Sequence, residues 1–171
     1  GAFRPAESYP RQALIGANTH DMVPLAGWTT GRDLALRRTH GQIRSATELV
    51  AARRERAEAV AALTRLLVRL RLWPAGAAAD GADPHFRRAV HAFLCRTPAA
   101  MVGIALDDLA GAVDPVNLPG VDLDRYRSWS RRSGLALEAL TSDPRVALAL
   151  AGTGRRRFRP APVRARGRCN H

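Results

Sequence analysis

The sequence predicts an α/β fold, rich in helix and built from βα units on a parallel sheet. Three observations carry that prediction. Two short apolar runs, 12–18 (QALIGAN) and 101–106 (MVGIAL), have the continuous hydrophobic character of strands buried on both faces. Each run leads into acidic residues, Asp21 after the first and Asp107-Asp108 after the second. Helical patterns separate and follow them, giving the order strand, helices, strand, helix. Ligands of such folds sit beyond the carboxyl ends of the strands, the level at which Asp21, Asp107 and Asp108 fall. Aspartate is equally a helix N-cap, so for Asp107 and Asp108 both readings stay open.

The elements follow in chain order. After the first apolar run comes Thr19-His20-Asp21, and then residues 22–37, where Pro24, Gly27 and Gly31 break the chain into turns. A short helical piece, DLALRR, closes that stretch. Ser45-Ala46-Thr47-Glu48 has capping-box spacing and opens a long helix. Val60, Leu63, Leu67 and Leu70 form its apolar stripe. Arg53, Arg54, Glu55, Arg56 and Glu58 suit a solvated surface. Pro74 is the expected stop, followed by a linker from Ala75 to Gly81. Asp83-Pro84 restarts a helix, with Asp as N-cap and Pro at the first position. Phe86, Val90 and Phe93 are its buried face, Cys95 a small core residue, and Thr97-Pro98 its end. Val116-Asn117-Leu118-Pro119-Gly120 reads as a loop after the second strand. Helices are expected over 132–140 and around 144–151.

Composition sets the bounds. The 171 residues, 46% of them apolar and 25% charged, are globular in balance and sufficient for one core. They fall short of the roughly 200–250 residues of a complete (β/α)8 barrel. Every one of the 27 basic residues is arginine. Of the net charge of +12, seven units come from residues 155–171, RRRFRPAPVRARGRCNH, which contain no acid. That segment reads as a basic, disordered tail, set apart from a domain over 1–154. A basic tail suits phosphate contacts. Arginine without lysine, beside abundant alanine, is also the mark of GC-rich coding. No run approaches the roughly 18 apolar residues of a membrane span, and GAFRPAESYP is no signal peptide. Cys95 and Cys169 have no metal-ligand spacing and demand no oxidising compartment, so a cytoplasmic protein without metal or cofactor is expected.

A resemblance sharpens this reading. Residues 9–38, YPRQALIGANTHDMVPLAGWTTGRDLALRR, resemble the amylomaltases, the 4-α-glucanotransferases of glycoside hydrolase family 77. The carriers are Thr19-His20-Asp21, Pro24, Ala26-Gly27-Trp28 and Gly31-Arg32-Asp33-Leu34. Leu106-Asp107-Asp108-Leu109-Ala110-Gly111 with Val116-Asn117-Leu118-Pro119-Gly120 is similar to a second family block, and Ser128-Trp129-Ser130-Arg131-Arg132 to a third. Val23 intervenes before Pro24, Thr29 replaces the second tryptophan of a pair, and Val121 stands where the family has threonine.

The resemblance implies the C-terminal part of a (β/α)8 barrel: its last two strands, a helical insertion over 38–98 and closing helices. It implies a retaining transfer of an α-1,4-glucan segment to a new 4-hydroxyl, on a maltooligosaccharide or starch-like substrate. Such chemistry uses two carboxyl groups about 5 Å apart. The family's nucleophile and acid/base residues match nothing here, so the fragment alone is expected to be inactive and to need the missing N-terminal part of the barrel. Asp21 matches a third carboxylate, which stabilises the transition state. His20 and Asn117 would contact the sugar. Trp28 would either offer it a face or serve as packing. Exposed strand edges predict a chain that is poorly soluble or molten alone. Two other readings remain: a small basic nucleic-acid-binding protein acting through the tail, and a helical interaction domain on residues 42–95. The first has no zinc finger, RRM aromatic signature or other reading motif behind it, and the second leaves Thr19-His20-Asp21 and the Val116–Gly120 loop unexplained.

Overall fold

In the computed structural model, residues 3–154 are described. The arginine-rich tail, expected to be disordered, lies outside the described residues. Two parallel strands, β1 (Leu14–Gly16) and β2 (Met101–Gly103), pair in the register Leu14 with Met101, Ile15 with Val102 and Gly16 with Gly103. The parallel pairing agrees with the sequence reading; the burial does not. Ile15 and Val102 pack against the core, but Leu14 is 65% exposed and Met101 60% exposed. Each strand is three residues long and covered on one face only, so continuous hydrophobicity overstated its burial.

Helix α1 (Leu25–Thr30) occupies the stretch expected to be turns. Pro24 precedes the helix instead of interrupting it, and Gly31 ends it in the left-handed region at φ 70°. Gly27 sits inside because a Cβ there would collide with the carbonyl of Val113. Helix α2 (Arg32–Thr39) follows at once.

Helix α3 (Ala46–Arg69) starts with half of the expected capping box, the Glu48 side chain reaching one residue past the Ser45 cap. The Glu48 amide donates to Ser45 Oγ at 3.0 Å, while Glu48 Oε2 reaches back to the Arg44 amide at 2.9 Å. It stops five residues before Pro74. Arg71, left-handed at φ 56°, donates to Val68 O, and Leu72 donates to Leu67 O, the pattern of a Schellman motif. The buried stripe is Ala62, Leu63, Leu66 and Leu67; Val60 and Leu70 are half-buried.

Helix α4 (Pro84–Cys95) has the expected Asp83 cap, with the His85 amide donating to Oδ1 at 2.8 Å. Phe86, Val90 and Phe93 are buried, and Cys95 is only half-buried. One core joins Leu25 of α1, the α3 stripe, Trp73 and the α4 face, with the Trp73 and Phe86 rings edge to face at 5.1 Å.

Helix α5 (Leu106–Ala110) leaves β2, and α6 (Pro144–Leu150) packs on α4 and α5. A second cluster joins Leu109, Leu135, Val146 and Ala149. The helix expected over 132–140 is only a 3-10 turn at Leu137–Ala139, with Leu137 74% exposed. Leu135 is the residue of that stretch that reaches the cluster, and Gly134 beside it disfavours a helix. Among the described residues, no helix is long and apolar enough to cross a membrane.

Candidate active site

The two strands deliver their carboxyl ends to one rim. The chain leaves β1 through Asn18, Thr19, His20 and Asp21, and leaves β2 into α5 with Asp107 and Asp108. Asn18 Nδ2 donates to Asp108 Oδ2 at 2.9 Å and ties the two exits together. Asp108 is 1% exposed, and its Oδ1 accepts from the Leu25 amide at 2.7 Å. It is therefore a cap, but for α1, 83 residues away; α5 has Ala105 as its own N-cap. Burial pushes the Asp108 carboxyl up to about 6. The Leu25 and Asn18 bonds and the attraction of Arg87 pull the other way. Asp107 lies outward and accepts from Arg131 Nη2 at 3.2 Å.

Asp21 is exposed on the rim. Asn117 Nδ2 donates to its Oδ1 at 2.6 Å, and His20 Nε2 lies 3.3 Å from Oδ2. The structure thus brings together three of the four residues singled out from sequence. The Asn117 loop is pinned from several sides. Ser128 Oγ accepts from the Leu118 amide at 3.2 Å, Gln42 Nε2 donates to Pro119 O at 2.6 Å, and Tyr126 Oη donates to Pro115 O at 2.5 Å. Trp28, the fourth residue, is half-buried against the core beneath the Arg56 guanidinium, 5.3 Å from its ring centre.

Arg56 is not the solvated residue the sequence suggested. It makes two 2.8 Å bonds to Asp33 and one to Trp28 O, and both partners of the pair are 17% exposed. A hollow of about 580 Å³ opens beside Asp21, lined by Trp28, Asp33, Arg56, Asn117 and Pro119. A second, of about 400 Å³, is lined by Asn18, His20, Asp107, Val116 and Arg131. Trp129 adds an aromatic ring 5.3 Å from that of His20. Sequence reasoning left Asp108 open between site residue and cap, and singled out neither Asp33, Arg56 nor Trp129 as site residues. Asp108, Asp33 and Trp129 stood inside quoted motifs, and Arg56 carried no signal.

Fold and rim define an α/β chain that presents a carboxylate, an imidazole and a carboxamide at the carboxyl ends of a parallel strand pair. The family model described as 4-alpha-glucanotransferase, glycoside hydrolase 77, matches residues 1–136. The 4-alpha-glucanotransferases of Mycobacterium bovis (strain ATCC BAA-935 / AF2122/97) and Mycobacterium tuberculosis (strain ATCC 25618 / H37Rv) are each 35% identical over 134 residues. That stretch is 75% of this chain and 17% of each relative, so the chain spans about a sixth of their length. The crystal structure of amylomaltase from Corynebacterium glutamicum shares the fold with a TM-score of 0.78 at 23% identity, covering 89% of this chain and 23% of that one. The chain belongs to the 4-alpha-glucanotransferase family, glycoside hydrolase 77.

Proposed function

We propose that this chain is the C-terminal part of a 4-α-glucanotransferase, with β1 and β2 as two strands of a (β/α)8 barrel. It takes part in the transfer of an α-1,4-glucan segment to a new 4-hydroxyl by retaining double displacement. The supporting observation is the 2.6 Å bond from Asn117 to Asp21, which joins two family-like motifs across 96 residues.

Each oxygen of the Asp21 carboxylate has a neighbour that fixes it, Asn117 on Oδ1 and His20 near Oδ2. A carboxylate held in this way meets positive charge growing on a glucose ring without having to reorganise, and so lowers the barrier. His20 and Asn117 keep further hydrogen-bonding capacity for sugar hydroxyls. Trp28, carrying Arg56 on its ring, acts as a buttress beneath the rim.

Double displacement also needs a nucleophile and an acid/base carboxyl about 5 Å apart. The glutamates are committed elsewhere or unmatched: Glu48 to the α3 cap and Glu58 to Arg54, while Glu7, Glu55 and Glu138 match no motif. With no residue matching the family's nucleophile or acid/base motif, the chain alone is expected to transfer no glucan.

The test is to incubate the chain with maltotriose, alone and with an N-terminal partner carrying the two missing carboxylates, and to follow glucose and longer maltodextrins. The expected result is activity only in the mixture, abolished by Asp21→Ala. Reconstituted activity that survives Asp21→Ala would overturn the role given to Asp21.

A further inference from the structure

We propose that Trp129 is the aromatic platform of a glucose subsite beside His20 and Asp21, taking the C–H face of a pyranose ring. This rests on the glucan reading above and adds a residue and a mode of contact to it.

Two features of Trp129 are unfavourable for folding alone. The residue is 60% exposed in this chain, whereas Trp73 is buried and Trp28 half-buried. Its backbone is left-handed at φ 64°, a region that bulky residues avoid and that becomes populated where surrounding structure enforces it. The enforcing contact is visible: the Trp129 amide donates to Val116 O at 2.9 Å. Backbone strain here holds an apolar ring clear of this chain's own core and against His20.

Position gives the strain a purpose. The indole lies 5.3 Å from the His20 ring at a tilt of 46°, and His20 reaches Asp21. Val116, which anchors Trp129, precedes Asn117, which also bonds Asp21. One rim therefore offers an indole face and a set of hydrogen-bonding groups. A pyranose has matching parts, an apolar C–H face and a polar hydroxyl edge. The negative face of the indole quadrupole attracts C–H groups. The neighbouring carboxylate disfavours an anionic ligand, so a neutral sugar fits best.

The experiment titrates the whole chain with maltoheptaose, following affinity and the tryptophan indole N–H signals by NMR. Trp129→Gly is the principal variant, because glycine is at ease at this φ. Expected are a Trp129 signal that shifts with sugar while that of Trp73 stays still, a Trp129→Gly melting temperature at or above wild type, and at least a roughly tenfold loss of affinity. Trp129→Phe should retain part of the binding. If wild type binds and Asp21→Asn weakens it, but Trp129→Gly does not, the platform is wrong and the glucan reading stands. No maltoheptaose binding by wild type overturns the platform, while the glucan reading is then decided separately by the reconstituted transfer reaction. A lowered Trp129→Gly melting temperature, with binding lost equally in Trp129→Phe, makes Trp129 a packing residue and overturns the proposal.

Discussion

Asp108 carries a carboxyl that the fold buries at the rim, at an electrostatic cost. Its carboxyl titrates at about 6 in the fold, against 3.8 for a free aspartate. The folded state therefore binds this proton more tightly than the unfolded chain does, and the stability this confers is lost as pH rises from about 4 to 6. His91, fully buried with its pKa lowered by burial, acts in the opposite sense and loses stability on acidification. Comparing wild type with Asp108→Asn cancels the histidine. The asparagine variant should gain on wild type between pH 4 and pH 8, by up to roughly 3 kcal/mol in denaturant unfolding. Parallel stability curves would show that Asp108 does not titrate in this window. Arg56 is the second residue of consequence, because its two bonds to Asp33 join α2 to α3 in a mostly shielded place. Arg56→Lys keeps the charge but loses the paired geometry and the flat contact with Trp28. We expect a loss of about 1–3 kcal/mol by thermal or denaturant melting.

Helix ends show how elements with the same geometry can carry different sequences. α2 closes with Gly41 left-handed at φ 77°, and the Gln42 amide returns to Arg37 O. α3 closes in the same way, but with an arginine at the left-handed position. Glycine at position 71 removes that strain, so Arg71→Gly should stabilise the chain by about 0.5–1 kcal/mol, read as a raised melting temperature. A lowered one would mean that the Arg71 side chain matters more than its backbone. These ends also show what a sequence discloses. Ser45 and Asp83 were legible because each caps a helix through bonds to residues two or three positions away. α1 was not legible: its start is capped by Asp108, and its internal glycine is required by Val113, a residue far along the chain. The stretch 132–140 failed for the reverse reason. Among the described residues, no face is there to receive Leu137.

For the molecule as a whole, the sheet has one face on the core and one in water. Ile15 and Val102 point inward, and the cross-strand pair Leu14 and Met101 stands exposed. Such a face invites association. Replacing Leu14 by Lys should reduce concentration-dependent light scattering while leaving the melting temperature nearly unchanged. Scattering that is indifferent to the substitution would place the sticky surface elsewhere. The candidate site was partly legible at this scale. Asp21, His20 and Asn117 stood in motifs, but their meeting on one rim depends on contacts between distant residues that no local pattern encodes. That dependence also has a cost in time. Leu14 pairs with Met101, so β1 leaves the ribosome long before its partner exists. At about 5–20 residues per second, the nascent chain carries an unmated strand for roughly 4–17 seconds, while the helices between are already forming. During synthesis, that interval is when a chaperone or a neighbouring polypeptide has its best chance to capture β1.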